Sequence, residues 1–306
     1  MARVAAALGA AAVASLVGVD IVARAQPQAT YLVEVDAVVT DGDGKPVQGL
    51  KQQDFEVKDD GKRVELKTFD EVAETPTTGV SRVIVLLLDD SGVGTGNTLA
   101  IQTIARTFVA RMAPPDEFSV VRLSNRRDEA FGDRLEALLR ISEYRSDTLP
   151  FFGRETVENA LRAFAKVSRT LEPIEHRRKA LVCIGVPDVC GIGEPANRTS
   201  LLWKFWVDTA GAMGRANTSL YSLEPNGATR RSSVTGNSIA AATGGEVFMN
   251  TSELSRPIDI VRRDTGNYYL LGYWPVANGR ELHSVEVKVN RRGLKVSARR
   301  VRGESS

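Results

Sequence analysis

An apolar run without polar interruption occupies Val83–Leu88. Half of its residues are β-branched, which favours a strand, and the lack of alternation indicates burial on both faces, as in the middle of a parallel sheet. The run ends at Asp89–Ser91, and the glycine-rich loop Gly92–Gly96 leads to a helical pattern that begins near Thr98. Because open α/β sheets bind ligands at the carboxyl ends of their strands, we expect a functional site at Asp89–Ser91.

Beyond this strand, short apolar runs alternate with segments whose apolar residues recur at helical spacing. This alternation predicts an α/β fold, a doubly wound and mostly parallel sheet with helices on both faces. The predicted strands are Glu117–Leu123, Lys179–Val186, Thr218–Leu223 and Glu246–Phe248, and the predicted helices are Thr98–Met112, Leu135–Ile141, Thr156–Leu171, Leu201–Ala216, Ser238–Thr243 and Leu254–Arg263.

The two ends of the chain are poor in helical pattern. Because a few isolated strands are not stable alone, we expect both ends to form one small all-β module that flanks the α/β domain or receives it as an insertion. The predicted domains are an N-terminal β module at 28–75, the α/β domain at 80–264 and C-terminal strands at 265–303. The predicted strands of the ends are Tyr31–Thr40, Phe55–Lys58, Arg63–Phe69, Tyr268–Trp274, His283–Val289 and Leu294–Val301.

Composition and charge place the chain among ordinary globular proteins. Of its 306 residues, 42% are hydrophobic and 25% charged, and the net charge of +2 argues against a general nucleic-acid binder. Arg3, the apolar run Val4–Val19 and the small-x-small pattern of Ala23 and Ala25 predict a signal peptide over residues 1–25. We therefore expect an exported protein, periplasmic or secreted. Alternatively, this segment stays uncleaved and anchors the protein in the membrane.

Several segments are similar to a known family. Asp89-x-Ser91 at the end of the central strand is followed by a helix that opens with Gly153–Thr156 and by the strand Lys179–Val186. Together these resemble the von Willebrand factor type A fold, and the fit is nearest to an exported acidobacterial group related to it. The further segments that carry the resemblance are Val39–Lys62, Ala216–Gly227, Thr243–Asn250, Asn267–Pro275 and Val285–Arg300.

The resemblance implies a metal-ion-dependent adhesion site, in which Asp89, Ser91 and Thr156 occupy ligand positions. Val93 and Val186 stand where the resemblance implies two further oxygen ligands. Since Mg²⁺ requires hard oxygen ligands, we expect a degenerate site with no cofactor, or with weak Mg²⁺ or Ca²⁺ binding. Alternatively, Asp89 and Ser91 only form hydrogen bonds to the following loop and helix.

The cysteines allow two interpretations. Cys183 and Cys190 could form a disulfide, which would stabilise an exported protein by about 2–3 kcal/mol, or they could be a buried thiol and a free loop thiol. Enzymatic chemistry has little support. The glycine spacing does not match a dinucleotide-binding loop, and no serine lies in a G-x-S-x-G turn, so we expect no catalytic residues and do not favour a hydrolase.

The expected function is protein binding through the loops at the carboxyl end of the sheet, Asp89–Asn97, Phe151–Thr156 and Val186–Gly193. The partner is unidentified and is not a nucleic acid. The alternative is a structural scaffold of a cell-envelope assembly that makes its contacts through the β module. Trp203 and Trp206 share a helix face and are favoured as core residues. The residues expected to contact the partner are Asp90, Thr95, Asn97, Glu155 and Asp188.

Overall fold

A computed structural model describes residues 32–74, 81–112, 116–124, 131–146, 153–174, 177–225, 237–249, 253–275 and 279–303. The predicted signal peptide lies outside these ranges. The strands are β1 (Val33–Thr40), β2 (Phe55–Asp59), β3 (Lys62–Val64), β4 (Leu66–Ala73), β5 (Val83–Leu88), β6 (Glu117–Arg122), β7 (Lys179–Ile184), β8 (Thr218–Leu223), β9 (Val247–Phe248), β10 (Asn267–Tyr273), β11 (Leu282–Val289), β12 (Lys295–Ala298) and β13 (Val301–Gly303).

The helices of the same ranges lie almost entirely between β5 and β10. None of them is both long and apolar enough to cross a membrane. They are α1 (Thr98–Arg111), α2 (Arg134–Glu143), α3 (Arg154–Leu171), α4 (Pro187–Cys190), α5 (Leu201–Arg215), α6 (Ile239–Ala242) and α7 (Ser255–Gly266), with two short 3-10 turns at Gln52–Asp54 and Thr95–Asn97.

The central sheet is parallel, with the strand order β6-β5-β7-β8-β9 in the described part of the chain. Every residue of β5 is buried, as the unbroken apolar run predicts. The helices bury apolar stripes in the same core, for example Phe108 of α1, Phe164 of α3 and Trp206 of α5. The structure confirms the predicted α/β class.

Strands from the two ends of the chain form two antiparallel sheets. Sheet A has the order β12-β1-β10-β4, and sheet B has the order β13-β11-β2-β3. The apolar residues between these sheets form a second core, separate from the core of the parallel sheet. This core contains an aromatic cluster of Phe55, Phe69 and Tyr269, whose ring centroids are 5.0–5.7 Å apart. The fold therefore includes the small all-β module expected from the two ends.

Two segments predicted as single strands are each divided between the sheets. Arg63–Phe69 becomes β3 in sheet B and β4 in sheet A, and Leu294–Val301 becomes β12 in sheet A and β13 in sheet B. In both cases the chain crosses from one sheet of the sandwich to the other. Alternation of apolar residues does not reveal such a crossing, because both sheets point apolar side chains into the same core.

Buried ion pairs connect the β module to the α/β unit. Asp36 of β1 forms ion pairs with Arg178, at 2.9 Å, and with Arg299, at 3.4 Å. Arg178 precedes β7, and its guanidinium also donates to the hydroxyl of Tyr221. Arg299 directly follows β12 and is buried at this junction.

Candidate functional site

The loops that follow β5 and β7 meet at the carboxyl end of the parallel sheet. Asp89 directly follows β5 and is 0% exposed. Its Oδ1 accepts hydrogen bonds from the N–H groups of Gly92, at 2.7 Å, and Ser91, at 3.3 Å. Its Oδ2 accepts from the N–H of Val186, at 3.2 Å. One buried carboxylate therefore joins the two loops.

Glycines make room for this carboxylate. A Cβ placed on Gly92 would lie 2.5 Å from Asp89 Oδ2, and a Cβ placed on Gly185 would overlap the Asp89 side chain. Backbone N–H groups can approach the carboxylate closely because neither position carries a side chain. The glycine after Ser91 and the glycine at the end of β7 thus belong to the site.

Burial controls the charge of Asp89. Loss of solvation raises the pKa of its carboxyl group to about 6, against the opposing effect of the three N–H hydrogen bonds. The negative charge of Asp90 contributes to the rise. Asp89 therefore titrates in the mildly acidic range.

The donor set does not fit the metal site that the resemblance implies. Val93 and Val186, at 1% and 4% exposure, are buried apolar side chains in two of the implied ligand positions. Thr156 is buried at the start of α3, and Ser91 is half-buried. Mg²⁺ prefers an octahedral shell of oxygen atoms, and side chains without oxygen cannot supply it.

Away from the loops at the carboxyl end of the parallel sheet, the described residues include one group of three acidic or histidine side chains that are close enough together to bind a metal ion. It consists of Asp59, Asp60 and His283, in the β module. Arg302 already forms a bidentate contact with Asp59, at 2.6–3.1 Å, so a cation would compete with a guanidinium there.

Asp90 has a structural environment that sequence reasoning did not anticipate. It is only 3% exposed, and it accepts hydrogen bonds from the backbone N–H of Ser124, at 2.9 Å, and from the Ser124 hydroxyl. The hydroxyl of Tyr144 donates to the carbonyl oxygen of Asp89, at 2.6 Å. Asp90 therefore connects β5 to the end of β6, and it is not on the partner surface to which it was assigned.

The other residues predicted to contact a partner differ in exposure. Thr95, Glu155 and Asp188 are exposed, and Asn97 is half-buried. Leu99, in the first turn of α1, is 73% exposed. Phe151 lies outside the described residues. We call Thr95, Leu99, Glu155 and Asp188 the sheet-top surface.

Two further features lie at the carboxyl end of the parallel sheet. Cys183 of β7 and Cys190 of α4 form a disulfide, with an S–S distance of 2.09 Å, that encloses Val186. Helix α4 has four residues, and the sequence pattern did not predict it. Glu224, which directly follows β8, is a fully buried carboxylate at the same end of the sheet. No signal in the sequence singled it out.

Comparisons with known proteins give a distant structural similarity. No family model and no curated protein matches the chain. Among solved structures, the chain is similar to the manganese-loaded TRAP protein of Plasmodium vivax, at 12% identity and a TM-score of 0.37. The match covers 76% of this chain and 96% of that one. A similarity at this level assigns neither a function nor a metal to this protein.

Proposed function

We propose that this protein is an exported, non-enzymatic module that binds another protein through the sheet-top surface without a metal ion. One observation carries the proposal. Both carboxylate oxygens of Asp89 accept backbone N–H groups, in a place where an adhesion site would present the carboxylate to an ion. In this proposal, the fold is of the von Willebrand type A kind, with a degenerate adhesion site.

The proposal gives Asp89 a supporting role. By holding the N–H groups of Gly92 and Val186, its carboxylate sets the positions of the loops that carry Thr95 and Asp188. A loop whose backbone is already held loses less conformational entropy on binding. The loops can then present a preformed surface without an ion.

The chemistry of the sheet-top surface indicates what it would bind. Glu155 and Asp188 provide exposed carboxylates, Thr95 an exposed hydroxyl, and Leu99 an exposed apolar side chain. A protein surface with basic side chains around an apolar contact would complement this set. The proposed partner is therefore basic at its contact region.

The proposal assigns no catalytic role to His283. This histidine lies in β11, in the β module, where it is 1% exposed and contacts Asp60, at 2.9 Å. The described residues of the sheet-top loops contain no histidine. A serine or cysteine nucleophile in those loops would therefore lack the usual neighbouring base.

Thermal unfolding tests whether a metal takes part. We would measure the melting temperature of chain 26–306 with EDTA, Mg²⁺, Ca²⁺ and Mn²⁺ in turn, and repeat the series with Asp89→Ala. A ligand that binds only the folded state raises the melting temperature. We expect no rise with any of the three metals. A rise in the wild type that disappears in Asp89→Ala would contradict the metal-free proposal.

Site-specific photo-cross-linking tests the surface. A photoreactive residue would replace Thr95 or Glu155 in the full chain in its own cells, with Lys204, exposed on α5, as the matched control. We expect Thr95 and Glu155 to cross-link to the same protein, and Glu155→Lys to weaken that capture. A cross-link obtained from Arg63 in the β module, with none from Thr95 or Glu155, would favour the scaffold function instead.

A further inference from the structure

The β4 strand forms one edge of sheet A. It runs over Leu66–Ala73 and pairs with β10, and no strand in the described part of the chain pairs with its other side. Lys67, Thr68, Asp70 and Glu71 are exposed along it. The carbonyl oxygen of Leu66 accepts a hydrogen bond from Gln52 Nε2, at 2.9 Å. The rest of an edge of this length can present unpaired backbone N–H and C=O groups, to which another strand can be added.

An open groove lies beside the first residues of β4, where the chain crosses from β3 in sheet B to β4 in sheet A. It has a volume of about 970 Å³. Phe55, Val64, Leu66 and Phe69 supply its apolar residues. The Phe69 ring is stacked on Tyr269, with centroids 5.7 Å apart, and is only half-buried. The groove can therefore receive one more apolar side chain next to the aromatic cluster.

The sequence of β4 is complementary to itself. In an antiparallel pair of two β4 strands centred on Phe69, each Lys67, which contacts Glu65 of its own chain at 2.7 Å, lies opposite a Glu71. Phe69 lies opposite the same residue of the second copy, and Leu66 lies beyond a bulge in the pairing of β4 with β10. Opposite charges and apolar pairs placed directly across an antiparallel ladder are stabilising. In a two-fold interface each contact occurs twice, once from each copy to the other, and this register meets that requirement.

We propose that two copies of this chain form a symmetric dimer by antiparallel pairing of their β4 strands. The pairing joins the two copies of sheet A into one continuous sheet, and the Phe69 ring of each copy packs at the other's groove. This interface is separate from the sheet-top surface and does not depend on the function proposed for it.

The opposite edge of the same sheet provides a control. The β12 strand has four residues, half the length of β4, and begins with the exposed Lys295. Lys295→Glu makes the same change of charge as Lys67→Glu, but on the edge that the proposal leaves unpaired.

Sedimentation equilibrium of chain 26–306, from micromolar to submillimolar concentration, tests the dimer. We expect a monomer–dimer equilibrium in the wild type. Lys67→Glu places like charges opposite each other twice, so its dissociation constant should rise by about tenfold or more. Lys295→Glu should leave the constant unchanged. A wild type that stays monomeric throughout, or a dimer that is weakened by Lys295→Glu and not by Lys67→Glu, would overturn the proposal.

A mixing experiment tests the register itself. In a heterodimer of the Lys67→Glu chain with a Glu71→Lys chain, every cross-strand charge pair is again opposite in sign. Each variant alone should dimerise weakly, and the mixture should form the heterodimer with near wild-type affinity. Circular dichroism would check the fold of Glu71→Lys, because Glu71 accepts a hydrogen bond from the Gly49 N–H, at 2.8 Å. Weak association of the mixture between folded chains would exclude this register.

Discussion

Asp89 combines two properties that oppose each other. Its three N–H hydrogen bonds favour the ionised carboxylate, while its burial favours the neutral acid. Burial has the larger effect, so the pKa lies at about 6 in the folded chain and near 3.8 in the unfolded chain. The protonated form therefore stabilises the fold, fully below the unfolded pKa, and this stabilisation is lost as the pH rises through about 6.

Asp89→Asn should remove this pH dependence. The difference of roughly two units between the folded and unfolded pKa values corresponds to about 3 kcal/mol of unfolding free energy. The wild type should lose this stability relative to the variant between about pH 4 and pH 6. Urea unfolding of both proteins across this range measures the difference. Asp43→Asn, at an exposed turn, is the control and should follow the wild type. Parallel curves for wild type and Asp89→Asn would contradict the assignment.

Gly185 is the residue whose substitution should disturb the site most directly. Because its Cβ would overlap Asp89, Gly185→Ala must displace either the carboxylate or the end of β7, at a cost of about 1–3 kcal/mol. Gly193→Ala, in the same loop region, meets nothing within 4 Å and should change stability by less than about 0.5 kcal/mol. Denaturant unfolding compares the two, and equal losses would be inconsistent with the packing described.

The sequence was sufficient to place Asp89 and Ser91 at the end of the central strand, because these polar residues directly follow the apolar run Val83–Leu88. It could not show that Asp89 accepts N–H groups from two loops, since the second loop, at Val186, is distant in sequence. The burial of Asp90 was missed for a related reason, since a carboxylate can be buried once a serine next to a neighbouring strand donates hydrogen bonds to it.

Among the elements, β1 and the segment before β7 meet through a buried polar contact. Asp36 faces two guanidinium groups, Arg178 and Arg299, and all three side chains are buried. Charges in such a place need one another, because removal of one partner leaves the others buried without compensation. The sequence did not indicate this contact, because arginines next to strands are usually exposed.

Asp36→Ala should therefore destabilise the protein by about 3–5 kcal/mol. Glu286→Ala, which removes an exposed carboxylate paired with Lys288 in β11, should destabilise the protein far less. The two variants can be compared by chemical denaturation at neutral pH. Similar effects from both would show that the junction contributes no more than a surface ion pair.

The disulfide between β7 and α4 gives a second prediction at this scale. Replacing both Cys183 and Cys190 by alanine opens a short loop, for which the chain-entropy treatment gives a loss of about 2–3 kcal/mol. Mass spectrometry with and without a reducing agent would confirm the bond in the wild type. An oxidised wild type no more stable than the double variant would contradict the expected stabilisation.

The whole molecule has a β module whose two halves lie at opposite ends of the chain. β1 pairs with β10 and β12, and β2 pairs with β11. The class of the fold could be predicted from local patterns, because each strand and helix has its own periodicity. The crossings between sheets A and B could not, since they depend on how the completed sandwich closes.

A chain that ends at residue 281 should lose the cooperative unfolding of the full protein. It lacks β11, β12 and β13, so β2 loses one of its two partner strands, and the apolar face of sheet A is left partly uncovered. Near-ultraviolet circular dichroism and limited proteolysis of chain 26–281 beside chain 26–306 would detect the loss. A sharp thermal transition in the shorter chain would show that sheet B is dispensable.

The pairing of β1 with β10 and β12 also sets an order of events during synthesis. β1 emerges from the ribosome more than two hundred residues before its partners, whereas each strand of the parallel sheet waits for a much shorter stretch. Contacts so distant in sequence form slowly, because a long loop must close first. The parallel sheet can therefore form while β1 still has an exposed edge, and in that interval a chaperone that binds extended segments would protect the nascent chain from aggregation.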